Sequence, residues 1–239
     1  MHVFYAPDIE TTAVLPEEES HHAVRVLRLE VGATIQIVDG KGGVFLGTIA
    51  VADAKRCLIN SLQAQAVAYR RPYYLHIAIA PTKNMDRLEW FVEKAAEIGI
   101  DEISPLYCRY SERKNLKTER LQRILVSAMK QSIQPTLTVL NEPTTFKEWI
   151  KHVEADQKFI AHCHDDEKQF LASAIQPGKK VLVMIGPEGD FSEEEVAIAM
   201  QAGFTPVSLG ESRLRVETAA LVACQTVSLM NDLAQRTTP

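Results

Sequence analysis

Two short stretches near the C-terminus hold residue types and spacings that could do chemistry. The first is Ile185-Gly186-Pro187-Glu188-Gly189, which ends the apolar run Val181–Ile185. The second runs Leu209-Gly210-Glu211-Ser212-Arg213-Leu214-Arg215-Val216-Glu217-Thr218-Ala219. A buried strand that stops at a glycine–proline loop is where open α/β sheets seat ligands. Pro187 lacks an N–H and fixes φ, while the glycines permit conformations that other residues resist. Beyond the first loop, Ser192 and Glu195 have capping-box spacing, and Glu193, Glu194 and Glu195 fill the first turn of a helix. That negative turn is a poor seat for phosphate, so the expected ligand is not held by a nucleotide phosphate. In the second loop, two arginines and two glutamates stand beside a strongly apolar helix, where charges are costly unless paired or used. Two readings stay open there: Arg215 and Glu217 pair with each other, or they serve a ligand.

Other clusters are weaker. His162-Cys163-His164-Asp165-Asp166 is contiguous, with neither helical i,i+4 spacing nor a second ligand pair. It reads as a polar loop at a strand end that lines the pocket, and no metal is expected. Gly40-Lys41-Gly42-Gly43 fits neither a dinucleotide nor a P-loop pattern and reads as a hairpin turn. Arg25 and Arg28 share one face of a short helix capped by Ser20, and read equally as surface arginines or as a phosphate fork. Residues 107–130 carry Arg109, Arg113, Lys114, Lys117, Arg120, Arg123 and Lys130 against only Glu112 and Glu119. A local basic face of this kind can bind a polyanion even though the whole chain carries a net charge of −5.

The elements that position these residues fall into two groups. Residues 1–70 alternate in β fashion at 34–39 and 44–50, with further strand candidates at 57–62 and 64–68. Tyr69–Tyr73 is a polar junction and the expected domain boundary. From residue 73 to 239, strands and helices alternate as in an α/β sheet. Strands are expected at 75–80, 102–106, 137–140, 158–161, 181–185 and 205–209. Helices are expected at 86–98, 119–131, 145–153, 192–202 and 219–233, with Thr145 and Glu148 as a capping box and Met200 on the core side of its helix.

With 239 residues, 46% of them hydrophobic and 24% charged, the chain can bury a sizeable core as a soluble protein. No apolar run approaches a membrane span, and the N-terminus lacks a signal-peptide pattern. The four scattered cysteines fit reduced thiols, so a cytoplasmic location is expected.

The paired loops carry a resemblance. Ile185–Gly189 together with Leu209–Ala219 resembles the two signature loops of the SPOUT methyltransferases. More narrowly, the chain resembles the ribosomal RNA small subunit methyltransferase E family, which methylates N3 of a 16S ribosomal RNA uridine. His22–Arg28, Lys94–Gly99 (KAAEIG) and Ser111-Glu112-Arg113 also match that family. One departure is Gln134, which stands where the family commonly has an arginine. The resemblance implies a PUA-like β-barrel over residues 1–70 and a SPOUT α/β domain with a C-terminal trefoil knot over 73–239, dimeric through the knot. It implies 16S rRNA or the small subunit as partner, while the residues themselves lead to the expectation of no membrane and no metal.

It further implies that S-adenosylmethionine lies among the knot loops, against His162, Ile185, Gly186, Pro187, Glu188, Gly189, Leu209, Gly210, Leu214, Arg215, Glu217 and Ala219. Arg215 would position the uracil or stabilise its anion, Glu217 would orient Arg215 or the base, and Glu188 is a second acidic candidate. Arg25, Arg28, Arg109, Arg113 and Lys114 are the candidates for contact with RNA. Two rivals remain: another SPOUT enzyme acting on transfer RNA or a ribose, and a non-catalytic RNA-binding assembly factor.

Overall fold

The computed structural model describes residues 1–65, 71–165 and 167–237. Chain contacts divide it into two units: Met1–Arg70 with Val126–Leu137, and Arg71–Leu125 with Thr138–Pro239. Residues 66–68 of the expected strand at 64–68, residues 69 and 70 of the junction at 69–73, and Asp166 lie outside the described residues.

The first unit contains β1 (Val3–Tyr5), α1 (Ile9–Thr12), α2 (Glu17–His21), a π-helical turn (His22–Val26), β2 (Thr34–Val38), β3 (Val44–Val51) and β4 (Leu58–Ala64). The four strands form one sheet in the order β1-β2-β3-β4. Its alternating residues Ile35, Ile37, Phe45, Ile49 and Ile59 bury against Phe4, Ile9 and Leu15. The glycine cluster is a hairpin turn, in which the Asp39 carboxylate accepts the amides of Lys41 and Gly43 at 2.7 and 2.8 Å. Ser20 is not a helix cap. The helix starts four residues earlier than Arg25–Arg28 suggested, and the Ser20 hydroxyl lies inside it, donating to the Leu15 carbonyl and accepting from the Cys57 amide. Lys130 and the buried Glu19 pair at 2.5 Å within this unit.

The second unit contains β5 (Tyr74–Ile79), α3 (Met85–Ile98), β6 (Glu102–Tyr107), the start of α4 (Glu119–Ser132), β7 (Val139–Leu140), β8 (Thr144–Thr145) and α5 (Phe146–Trp149). It continues with β9 (Gln157–Ala161), β10 (Gln169–Phe170), α6 (Leu171–Ala174), β11 (Lys180–Ile185), α7 (Glu193–Gln201), β12 (Thr205–Ser208) and α8 (Val216–Thr237). The sheet is parallel throughout, in the order β10-β12-β9-β11-β5-β6-β7, with β8 also paired to β6. Central β11 lies between β9 and β5, so Val181–Ile185 is covered on both faces and reads as an unbroken apolar run. After β9 the chain returns on one side of it as β11 and on the other as β12. The loops leaving β11 and β12 therefore emerge on either side of the end of β9.

Three helical expectations are corrected. α5 is a single turn: Thr145 caps it by accepting the Glu148 amide at 3.3 Å, but the Glu148 carboxylate turns to Lys151 and His152 and does not return the bond, so the box is half made. Met200 is 52% exposed, since Val196 and Ala199 already fill the buried face of α7. α8 starts at Val216, not Ala219, which places Glu217 in a helical first turn where its charge suits the dipole.

α7 begins with a complete capping box between Ser192 and Glu195. The buried Glu195 carboxylate accepts from the Ser192 amide at 2.9 Å, the Ser192 hydroxyl at 3.0 Å and the Arg109 amide at 2.8 Å. Glu195→Ala leaves those donors unpaired and should cost about 2–4 kcal/mol, read as a lowered urea midpoint.

At the other end of the sheet, His76 is buried, with Nε2 2.8 Å from Ser104 Oγ and Nδ1 3.6 Å from Glu102. Burial lowers its pKa from 6.5 to about 4, with Glu102 opposing and Lys180 adding to the shift. The unfolded chain therefore takes up a proton that the folded chain refuses between those values. Stability from this site should be full above pH 6.5 and fall toward pH 4, by at most about 1.4 kcal/mol per unit. Urea titrations at stepped pH should show that slope flattened in His76→Gln.

Candidate functional site

The carboxyl edge of the parallel sheet gathers five segments: 80–84 after β5, 108–113 after β6, 162–165 after β9, 186–191 after β11 and 209–215 after β12. This is the edge at which open α/β sheets hold ligands, and β9 marks a reversal in strand order.

Four of the five segments are tied together by side chains that accept or donate to main-chain groups. Glu188 accepts the Lys83 amide at 2.9 Å, joining the β11 and β5 loops. Arg113 donates to the carbonyls of Thr82 at 3.2 Å and Lys83 at 2.7 Å, joining the β6 and β5 loops. Asp190 accepts the Cys163 amide at 2.7 Å, joining the β11 and β9 loops. Glu195 joins the start of α7 to Arg109 in the β6 loop. Such charge-assisted bonds are stronger than neutral ones and satisfy loop amides that no strand partner reaches.

The first predicted loop is built for close backbone approach. Ile185, Gly186 and Pro187 are buried, whereas Glu188 and Gly189 are exposed. A Cβ on Gly186 would lie 3.0 Å from the Phe191 ring, and one on Gly189 would lie 2.9 Å from Tyr110 Cβ. In the second loop, Leu209 and Leu214 are half-buried and Arg215 is exposed. Gly210 adopts φ +131, with nothing within 4 Å of its Cβ position, so open space adjoins its backbone. The Ala219 amide donates to the Arg215 carbonyl at 2.7 Å. His162 is buried at the end of β9, its ring edge-on to His164 at 5.1 Å.

Arg215 and Glu217 are not paired with each other. Glu217, 8% exposed, lies 3.8 Å from Arg87 of α3, and so links the first turn of α8 to the helix it packs on. Arg215 is exposed and pairs with no described acid. Glu188 is occupied in part by the Lys83 amide. Among the basic candidates, Arg113 is turned onto carbonyls, while Arg109 pairs with Glu194 at 3.5 Å and lies over the Tyr110 ring. Lys114 is exposed in this unit, and Arg25 and Arg28 are exposed in the first, Arg28 at φ 54.

Sequence reading missed Thr82, Lys83, Arg87, Asp190 and Glu195 as parts of the site. Pro81 followed by the polar run Thr82-Lys83-Asn84, between an apolar run and a helix, was the available signal. Asn84 does cap α3, accepting from the Asp86 amide at 3.0 Å. Among the described residues, no cluster of His, Cys, Asp or Glu could hold a metal ion. Burial pushes the Cys108 and Cys224 thiols up, Cys224 to about 12, so neither is poised as a nucleophile.

Residues 70–228 match the RNA methyltransferase domain family, and residues 15–60 match the RNA methyltransferase PUA domain family. The chain belongs to the RNA methyltransferase family. Among solved structures, it is similar to a probable rRNA-methyltransferase from Porphyromonas gingivalis, at 41% identity and a TM-score of 0.88 over 98% of this chain and 100% of that one. It is also similar to the ribosomal RNA small subunit methyltransferase E of Neisseria gonorrhoeae, solved bound to S-adenosyl methionine. The identity there is 25% and the TM-score 0.85, over 96% of this chain and 98% of that one. The enzyme of the same name from Rickettsia conorii is 29% identical over 88% of this chain and 86% of its own length.

The loops present a surface of one character. Glycine backbone, half-buried leucines and an open flank at Gly210 offer main-chain groups and apolar walls, not a cluster of charges. The charged side chains around them hold the loops in place. Arg113→Ala, which frees two carbonyls, should lower the urea midpoint by the equivalent of about 1–3 kcal/mol.

Proposed function

We propose that this protein transfers the methyl group of S-adenosylmethionine to N3 of a uridine in 16S ribosomal RNA. The observation that carries the reading is the pairing of Ile185–Gly189 and Leu209–Arg215 on either side of the β9 end, at the carboxyl edge of a parallel sheet. It is supported by the family match and by the likeness to a ribosomal RNA small subunit methyltransferase E solved with that donor. We further propose that the C-terminal loops form a trefoil knot, that the chain acts as a homodimer in the cytoplasm, and that residues 1–70 and 73–239 are its functional domains.

S-adenosylmethionine supplies a methyl carbon on a sulfonium, open to in-line displacement. The chain's part is to align that carbon with the acceptor nitrogen and to manage the N3 proton. Ile185, Gly186, Pro187, Gly189, Leu209, Gly210, Leu214 and Ala219 would hold the donor through main chain and apolar contact, with His162 at the strand end between them. Arg215 is exposed and pairs with no described acid, so its guanidinium is available to stabilise the uracil anion left when the proton departs. Glu217 acts one step away: by pairing with Arg87 it fixes the helix start that presents Arg215. Glu188, anchored by the Lys83 amide, helps set the donor loop. Arg25, Arg28, Arg109 and Lys114 would meet the RNA backbone.

Labelled methyl transfer to naked 16S rRNA and to purified small subunits, with mapping of the modified nucleoside, tests this reading. N3-methyluridine is expected. Arg215→Ala should cut the single-turnover rate by about 10²–10³ with donor affinity retained. A parent-like rate for that variant would remove Arg215 from the mechanism, and a methylated ribose would replace N3 as the target.

A further inference from the structure

Asp190 directly follows the Gly186–Gly189 turn and is held at φ 65. That left-handed conformation is disfavoured for any residue with a side chain, and aspartate is among the few that tolerate it. A residue held there persists only when tertiary contacts require it. In Asp190 those contacts reach outside its own loop. Oδ2 accepts the Cys163 amide at 2.7 Å, and Oδ1 accepts the Phe191 amide at 2.8 Å. A second tie runs beside the first: His164 Nε2 lies 2.8 Å from the Phe191 carbonyl and 3.8 Å from Asp190 Oδ2.

Cys163 and His164 immediately follow His162, whose buried ring packs edge-on against that of His164. The β9 loop is thus latched to the β11 loop at the point where the donor loops diverge. Gly186 and Gly189 are themselves packed against Phe191 and Tyr110, so a shift at residue 190 would be transmitted to the turn. Nothing in the sheet ladder does this work, because β9 and β11 stop pairing at Ala161 and Ile185.

We propose that Asp190 is a positioning residue for the methyl-donor site, setting the backbone of Ile185–Gly189 and the ring of His162 by latching the two loops. This rests on the function proposed above. Glycine at this position would ease the backbone but could not latch. Asparagine tolerates the left-handed conformation and keeps an oxygen for the Cys163 amide.

The full-length protein and its Asp190→Gly and Asp190→Asn variants test the proposal by calorimetry with S-adenosylmethionine, steady-state kinetics and urea denaturation. Asp190→Gly should raise the donor Kd and donor KM about tenfold, the effect of losing the charge-assisted hydrogen bond to Cys163 that joins the two loops. Its KM for RNA should stay parent-like and its urea midpoint close to the parent's, because relief of the disfavoured φ offsets the lost bond. Asp190→Asn should stay within about threefold of the parent, the acceptor having been kept. The proposal is overturned if Asp190→Gly binds the donor as tightly as the parent, or if the asparagine variant loses as much as the glycine one. If the parent itself binds no donor, the proposed function fails and this role fails with it. Parent binding matched by Asp190→Gly overturns the latch alone.

Discussion

Glu195 is a buried carboxylate that accepts three hydrogen bonds, two from Ser192 and one from the Arg109 amide. Much of the second unit depends on that arrangement. A parallel sheet satisfies its own amides up to the last ladder residue and leaves the loops beyond without partners. Here carboxylates supply them. Glu195 secures the β6 loop, Glu188 the β5 loop and Asp190 the β9 loop. Arg113 answers in the opposite sense, donating to the carbonyls of Thr82 and Lys83. The edge of the sheet is held by charge-assisted bonds between loops that are far apart in sequence.

That arrangement accounts for the division of labour at the site. Three acids near the first loop, Glu188, Asp190 and Glu195, are engaged with main-chain amides, and Glu194 is paired with Arg109 and Lys147. What remains is backbone, apolar side chains and open space beside Gly210. A binding surface of that kind suits a neutral-to-cationic organic ligand held by main-chain groups far better than a phosphate. Arg215 stands apart as an exposed cation at the start of α8, whose first turn is fixed by the Glu217–Arg87 pair. The membership in an RNA methyltransferase family is consistent with both features.

Several parts of this were legible in the chain. The run Val181–Ile185 read as a buried strand because a central parallel strand is apolar on both faces. The Ser192–Glu195 box was readable because capping is local, involving residues three apart. Gly99 at φ 98 closed α3 where its periodicity predicted. Boundaries set by contacts distant in sequence were less readable. Glu148 is a local case: Thr145 accepts its amide as the spacing predicted, but its carboxylate goes to the neighbouring Lys151 and His152 and leaves the box half made. Ser20 looked like a cap but is claimed by Leu15 and Cys57, the latter 37 residues away. The assignment of Val126–Leu137 to the first unit has no local signature at all.

The site divides along the same line. Sequence alone determined which loops carry the glycines and arginines, that they follow buried strands, and that the helix after the first loop starts with acids, a poor seat for phosphate. Those are properties of residue type and near-neighbour spacing. Tertiary structure alone decided that β11 and β12 flank β9, that Glu217 meets Arg87 and not Arg215, and that Arg113 faces carbonyls. It also gave Asp190 its reach to Cys163. Each of these joins residues tens of positions apart, and a hydrogen bond or ion pair depends on distance in space, which spacing along the chain does not encode.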